Sequence, residues 1–109
     1  MVYAVQAYLG FRNAARRDGV LGNINTKFST TAQYGNPVAE PITTRAGDPG
    51  VIVECRFVNQ ADQQQFWAEA DAAFGTGVNG PVTGSRMWMH DCPHDQGQGA
   101  CVIGTERNW

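Results

Sequence analysis

The clearest hydrophobic pattern in the chain lies in residues 51–58, where apolar positions alternate with others. One side of an extended chain carries only apolar residues here: Val51, Val53, Cys55 and Phe57. The other side carries Ile52, Glu54, Arg56 and Val58. A period of two in β-branched and aromatic residues predicts a strand, which we take as the centre of the fold.

The period changes directly after this strand, where apolar residues recur at steps of three and four. They are Phe66, Trp67, Ala70, Ala73 and Phe74, while Gln63, Gln64, Glu69 and Asp71 take the other positions. This stripe predicts a helix of roughly four turns that packs on the central strand. Asn59 is a candidate N-cap, and Gly75 is expected to end the helix.

Five further elements follow from weaker patterns, three of them before the central strand. Residues 2–11 predict a first strand with apolar residues on both faces. Residues 13–28 predict a helix that carries Val20, Leu21, Ile24 and Phe28 at helical spacing, with Asn13 or Asp18 as its cap. Residues 38–45 contain Pro41, which favours a position at the edge of a sheet.

Near the C-terminus the alternation returns. In residues 85–92, Met87 and Met89 point to one side and Arg86, Trp88 and His90 to the other. Residues 100–105 predict a last short strand after a turn-rich link.

The order of predicted elements indicates a single α+β domain over residues 1–109. Strand, helix, strand, strand, helix, strand is the ferredoxin-like βαββαβ arrangement, here with an added C-terminal strand. Right-handed crossovers would place two helices on one face of an antiparallel sheet. In element order and length the chain resembles the small ferredoxin-like and dimeric α/β-barrel proteins. That resemblance implies two sheets packed face to face in a homodimer, and it implies little about chemistry.

Composition limits the classes of partner. The formal net charge of −2 and the absence of a long apolar run argue against nucleic acid and membranes as partners. Tyr8 and Trp88 could stack RNA bases on an open sheet, but the acidic chain and Glu54 on the same face disfavour that function. The first residues lack a basic start, so we expect no signal peptide and a cytoplasmic location.

The open face of the predicted sheet is the candidate ligand-binding site. If Val53 and Met87 point at the helices, the residues that point away include Tyr8, Glu54, Arg56, Trp88 and His90. Aromatic rings beside an acid, a base and an imidazole suit a planar or cationic ligand, or an anion held by arginine. The alternative is that these residues only form the contact with a partner chain. No catalytic residue can be named.

A second candidate cluster contains His90, Cys92, His94 and Cys101. The first three alternate, and imidazole with thiolate suits zinc, yet Pro93 interrupts the segment and no standard zinc spacing is present. We therefore expect neither metal nor cofactor. A disulfide between Cys92 and Cys101 is the other interpretation of the cluster. Cys55, on the apolar face, is expected to be a buried and unreactive thiol.

Two functions remain open on this evidence. The leading hypothesis is a small protein that binds a small ligand or a partner on the open face. The alternative is an enzyme of the dimeric α/β-barrel type, monooxygenase- or isomerase-like, that acts on a small organic molecule. In either case Tyr8, Ile52, Val58 and Trp88 on an uncovered face predict a homodimer.

Overall fold

The computed structural model describes residues 1–27, 38–92 and 101–109. Its strands and amphipathic helices follow one another in the predicted order. The strands are β1 (Val2–Gly10), β2 (Val38–Thr43), β3 (Pro49–Phe57), β4 (Arg86–Cys92) and β5 (Val102–Asn108). The helices are α1 (Ala14–Lys27) and α2 (Gln60–Phe74), and a short 3-10 turn spans Gly77–Asn79. An α+β fold with two helices is confirmed.

The strands pair antiparallel in one sheet of order β2-β3-β1-β4-β5. β1 therefore lies between β3 and β4, which places the first, third and fourth strands next to one another. β2 lies at an edge, as Pro41 predicted, because a proline cannot donate to a neighbouring strand. β5 forms the other edge and ends three residues later than predicted, since its last residues pair with the start of β4.

Both helices pack on the same face of the sheet, because side chains of both belong to one buried cluster. The strands contribute Val5, Ala7, Leu9, Val51, Val53, Cys55, Phe57 and Met87 to it, and the helices contribute Val20, Ile24, Phe66, Ala70 and Phe74. The rings of Phe57 and Phe66 lie 5.5 Å apart between β3 and α2. The predicted register is confirmed, since Val53 and Met87 face the helices.

Capping groups explain where the helices begin and end. The side-chain oxygen of Asn13 accepts a hydrogen bond from the Arg16 backbone N–H at 2.8 Å, so Asn13 and not Asp18 caps α1. Asn59 precedes α2 without a capping hydrogen bond from its side chain. Gly75 ends α2 with φ 78°, a conformation that glycine adopts without strain. The Arg16 guanidinium donates to the carbonyls of Ala73 and Phe74 at 2.8 and 3.1 Å, which ties α1 to the end of α2.

Two positions of α2 depart from the predicted stripe. Gln63 is buried, whereas Ala73, which was assigned to the apolar face, is exposed. The Gln63 amide donates to the carbonyl of Ala4 and to the Asp91 carboxylate, both at 3.0 Å. A polar side chain can therefore occupy this position because both of its hydrogen bonds are made inside the protein. Phe28, placed in the predicted stripe of α1, lies outside the described residues.

No helix in the described part of the chain has the length and apolar character needed to span a membrane.

Candidate functional site

The open face of the sheet, which we define as the side away from the two helices, carries all five predicted ligand-binding residues. Their positions follow from the pairing of three strands. Gln6 lies between Glu54 on β3 and Trp88 on β4, and Tyr8 lies between Ile52 and Arg86. One step along, Ala4 lies between Arg56 and His90. Alternation on adjacent strands thus gathers the predicted residues on one surface.

A pocket of about 420 Å³ occupies the middle of the open face, and we call it the open-face pocket. The side chains around it come from β1, β2, β3 and β4: Gln6, Tyr8, Glu40, Ile52, Glu54 and Trp88. Three of the five predicted residues, Tyr8, Glu54 and Trp88, therefore line one cavity. Arg56 and His90 lie on the same face but do not line it.

A hydrogen bond and an ion pair orient the carboxylate of Glu54 at this pocket. The Gln6 amide donates to Glu54 Oε2 across the β1–β3 pair. Arg56 Nε lies 3.7 Å from Glu54 Oε1, with both side chains about two-fifths exposed. An ion pair this exposed is weak, so it leaves the Glu54 carboxylate able to interact with another cation.

The aromatic side chains form two sides of the open-face pocket. The Arg86 guanidinium lies 4.6 Å from the centroid of the Trp88 ring, and Arg86 also pairs with Glu106 on β5. A cation over an indole is a stabilising contact, so Arg86 helps to hold the Trp88 ring in place. The Tyr8 hydroxyl accepts a hydrogen bond from the Arg45 backbone N–H at 3.2 Å, which fixes the ring at the pocket's end.

Sequence reasoning missed Glu40 as a lining residue. Glu40 pairs with Ile52 across β2 and β3, so its side chain falls on the open face. The signal was weak because residues 38–45 form an edge strand that contains Pro41, and their register against β3 does not follow from alternation alone. Gln6 also lines the pocket from β1 and was likewise not chosen as a binding residue.

A second cavity, of about 480 Å³, lies at the end of the sheet between the β2–β3 turn and the loop before β4. It shares Tyr8 with the open-face pocket and includes Arg45 and Asp48. Its buried Ser85 hydroxyl accepts a hydrogen bond from the Gly10 backbone N–H at 2.9 Å. That serine is therefore engaged with the backbone of β1, where it holds the loop against the sheet.

The cysteines separate into a buried thiol and a bonded pair. Burial, and secondarily the charge of Glu54, raise the pKa of Cys55 from 9.0 to about 12. A thiol with so high a pKa stays protonated at neutral pH and is a poor nucleophile. Cys92 and Cys101 form a disulfide with their Cα atoms 4.2 Å apart. Of the zinc site and the disulfide that the sequence left open, the structure contains the disulfide. His94, the remaining member of the predicted cluster, lies outside the described residues.

Comparison of the chain with protein-family models, with curated proteins and with solved structures finds no match.

Proposed function

We propose that this protein binds a small planar cation in the open-face pocket. The observation that carries the proposal is the chemistry of the lining. It combines two carboxylates, Glu40 and Glu54, with the aromatic rings of Tyr8 and Trp88, and no Lys, Arg or His is among the described residues that line it. Carboxylates attract a cation, and aromatic faces attract it further while they stack on a planar group.

The pocket's size fits such a ligand. Small-molecule sites commonly have volumes of about 300–1,000 Å³. The open-face pocket, at about 420 Å³, lies near the lower end of that range. A ligand with a single aromatic ring and one amidinium or ammonium group would occupy it. Arg56 lies beside Glu54 and Arg86 lies over Trp88, but neither guanidinium is in the lining, so the two carboxylates favour a cation over the anionic ligand considered from the sequence.

Three benzene derivatives of matched shape test this function: benzamidinium, neutral benzamide and anionic benzoate. Amide chemical shifts would be followed by NMR while each compound is added to the protein. We expect benzamidinium to bind most tightly, with the largest shifts at Gln6, Ile52 and Trp88. Equal or tighter binding of benzoate, or shifts confined to another surface, would contradict the proposal.

Variants connect that binding to the carboxylates. Glu54→Gln keeps the shape of the side chain and removes its charge, and we expect about tenfold weaker binding of benzamidinium, or about 1.4 kcal/mol. Glu69→Gln on α2 is a matched control, because it removes a charge of the same sign from the helix side of the molecule. An equal loss in both variants would show only a dependence on net charge.

A homodimer through the open face remains our proposal for assembly. Ile52 on β3 is 42% exposed, Val58 directly after β3 is 41% exposed, and Ile103 on β5 is 60% exposed. A second copy packed about a two-fold axis would cover these side chains and close the open-face pocket. Sedimentation at micromolar concentration should then give the mass of two chains. A monomer would exclude the dimer and leave the test of the ligand pocket unchanged.

The order β2-β3-β1-β4 within the sheet supports a ferredoxin-like classification, with β5 as the departure from the four-stranded unit. The enzyme alternative rests on the resemblance to dimeric α/β-barrel proteins, so it depends on the dimer as well. It would require turnover of a bound organic molecule, and binding of benzamidinium without chemical change separates the two functions.

The cytoplasmic location also remains a proposal, and the disulfide bears on it. Disulfides persist in oxidising compartments and are rare in the cytosol. In a reducing cytosol, Cys92 and Cys101 would therefore be two thiols. Rapid acid quenching of cells followed by thiol alkylation and mass measurement would show which form is present.

A further inference from the structure

A second group of chemically reactive side chains lies on the open face, beyond the pocket. It consists of His90, Cys92 and Cys101, which we call the His–Cys–Cys cluster. His90 Nδ1 lies 3.4 Å from the Cys92 sulfur. One ligand atom from each of the three residues falls within 4.8 Å of the other two. Such proximity is required of residues that bind one metal ion.

Strand pairing holds the cluster together. His90 and Cys92 are two residues apart on β4, so their side chains leave the same face of the sheet. Asp91 pairs with Val102 at the start of β5, which brings the preceding residue, Cys101, beside Cys92. The cluster is therefore positioned by backbone pairing as well as by its disulfide.

The imidazole of His90 has an unused ligating capacity. Its Nε2 is buried and has no hydrogen-bond partner in the described part of the chain. Its Nδ1 has the disulfide sulfur of Cys92 as its neighbour, and sulfur is a weak hydrogen-bond acceptor. Among the described residues, Nδ1 therefore makes no strong hydrogen bond that a metal ion would have to displace.

We propose that reduction of the Cys92–Cys101 disulfide converts the His–Cys–Cys cluster into a zinc site. A dithiol reductant supplies two electrons and two protons, the S–S bond breaks, two thiols form, and the reductant becomes a disulfide. Zn²⁺ then displaces both thiol protons and binds the two thiolates and one imidazole nitrogen. Water completes the four-coordinate site, as in open zinc sites with two cysteines and one histidine. This inference does not depend on the proposed ligand-binding function.

The distances agree with this coordination. With Zn–S bonds of about 2.3 Å and Zn–N bonds of about 2.0–2.1 Å, tetrahedral geometry places sulfur and nitrogen about 3.6 Å apart. The contact between His90 Nδ1 and Cys92 Sγ is 3.4 Å. Two thiolate sulfurs in such a site lie about 3.8 Å apart, so the sulfurs must separate, and this requires the disulfide to be broken first. Oxidation and zinc binding are therefore mutually exclusive.

Zinc alone, added to oxidised and to reduced protein, is the direct test. We expect one zinc per chain by elemental analysis after reduction with a phosphine and anaerobic dialysis, and none in the oxidised protein. Zinc addition to the reduced protein at pH 7 should release about two protons per metal, since the ligands must be deprotonated. A reduced protein that retains no zinc, or equal zinc in both forms, would overturn the proposal.

Variants identify the ligands. Loss of a residue that only orients a metal-binding side chain weakens metal affinity about 10–100-fold. His90→Ala removes a metal-binding side chain itself, so it should weaken zinc binding by about 100-fold or more. His94→Ala removes the only other histidine in the chain. Cys55→Ala removes the thiol that lies in the core on the other face of the sheet. Loss of zinc in either control with full retention in His90→Ala would contradict the assignment, and far-UV circular dichroism would show that each variant is folded.

Discussion

The two faces of the sheet are built from the same strands, and adjacent residues of one strand have opposite roles. On the face covered by the helices, Phe57 and Met87 have no exposed surface. Their neighbours Arg56 and Trp88 point to the open face, where Arg56 is exposed and Trp88 lines a pocket. Alternation thus separates the residues that stabilise the domain from those that are free to bind. A substitution on the covered face should therefore lower stability, whereas a substitution at the neighbouring residue on the open face should affect binding.

Neither face is uniform in chemistry. Gln63 and Asp91 form a partly buried polar contact on the side of the helices. On the open face, Val2 and Cys92 are cross-strand partners and are both buried. The disulfide of Cys92 covers this end of the face, and the pocket occupies the middle. The two faces therefore differ most in burial at the pocket and least beside the His–Cys–Cys cluster.

The largest expected effect is that of Phe57→Ala. The ring is fully buried and packs on Phe66, so its removal leaves a cavity between β3 and α2. We expect a loss of about 3–5 kcal/mol in the free energy of unfolding, measured by urea denaturation. Arg56→Ala, one residue away on the open face, should cost less than about 1 kcal/mol. Similar losses for the two variants would contradict the division of roles between the faces.

A smaller loss is expected for Gln63→Ala. The truncation leaves the buried Ala4 carbonyl and the partly buried Asp91 carboxylate without this donor, which costs about 1–3 kcal/mol. Gln64→Ala is the matched control, since it removes an exposed amide from the adjacent position of α2 and should change stability by less than about 0.5 kcal/mol. Equal stability of the two variants would show that the Gln63 hydrogen bonds make no net contribution.

Sequence alternation was sufficient to predict which residues of β1, β3 and β4 share a face, because burial of one face leaves a period of two. It was insufficient where a contact depends on another element. Gln63 looked like a solvent-facing residue, since a helical stripe is recognised by apolar side chains and its partner Asp91 is 28 residues away. Glu40 was missed because the register of the β2 edge strand rests on its pairing with β3.

The C-terminal region shows the same limit. The predicted last strand ended too early because residues 106–108 also pair with the start of β4. Trp109 was not chosen as a core residue, yet its ring lies edge-on against Phe74 at 6.4 Å. The spacing of Cys92 and Cys101 is compatible with a disulfide and with metal ligation. Only the positions of β4 and β5 bring these sulfurs together.

Two tryptophans provide the next comparison, since each has an arginine over its ring. Arg86 lies 4.6 Å from the Trp88 ring on the open face, and Arg107 lies 4.7 Å from the Trp109 ring on the side of the helices. Trp109 also contacts Phe74, so we expect Trp109→Ala to cost about 2 kcal/mol and Trp88→Ala about 1 kcal/mol.

Binding should show the reverse order for these two variants. Trp88→Ala removes one side of the open-face pocket and should abolish the benzamidinium-induced NMR shifts. Trp109→Ala leaves the pocket lining intact and should bind with unchanged affinity, provided that the measurement is made well below its melting temperature. Loss of binding in Trp109→Ala alone would place the ligand on the wrong side of the sheet for our proposal.

The smallest effect on stability is expected for Glu54→Gln. This variant should also separate stability from ligand binding most clearly. The pair with Arg56 is 3.7 Å long and about two-fifths exposed on both sides, so it contributes at most a few tenths of a kcal/mol. The Gln side chain can still accept a hydrogen bond from Gln6. Urea denaturation should therefore give a free energy of unfolding within about 0.5 kcal/mol of that of the unsubstituted protein, while benzamidinium binding weakens about tenfold. A loss of more than about 1.5 kcal/mol in stability would mean that Glu54 supports the sheet itself. In that case the open face would have a structural role at its centre, and the contrast with the covered face would not hold there.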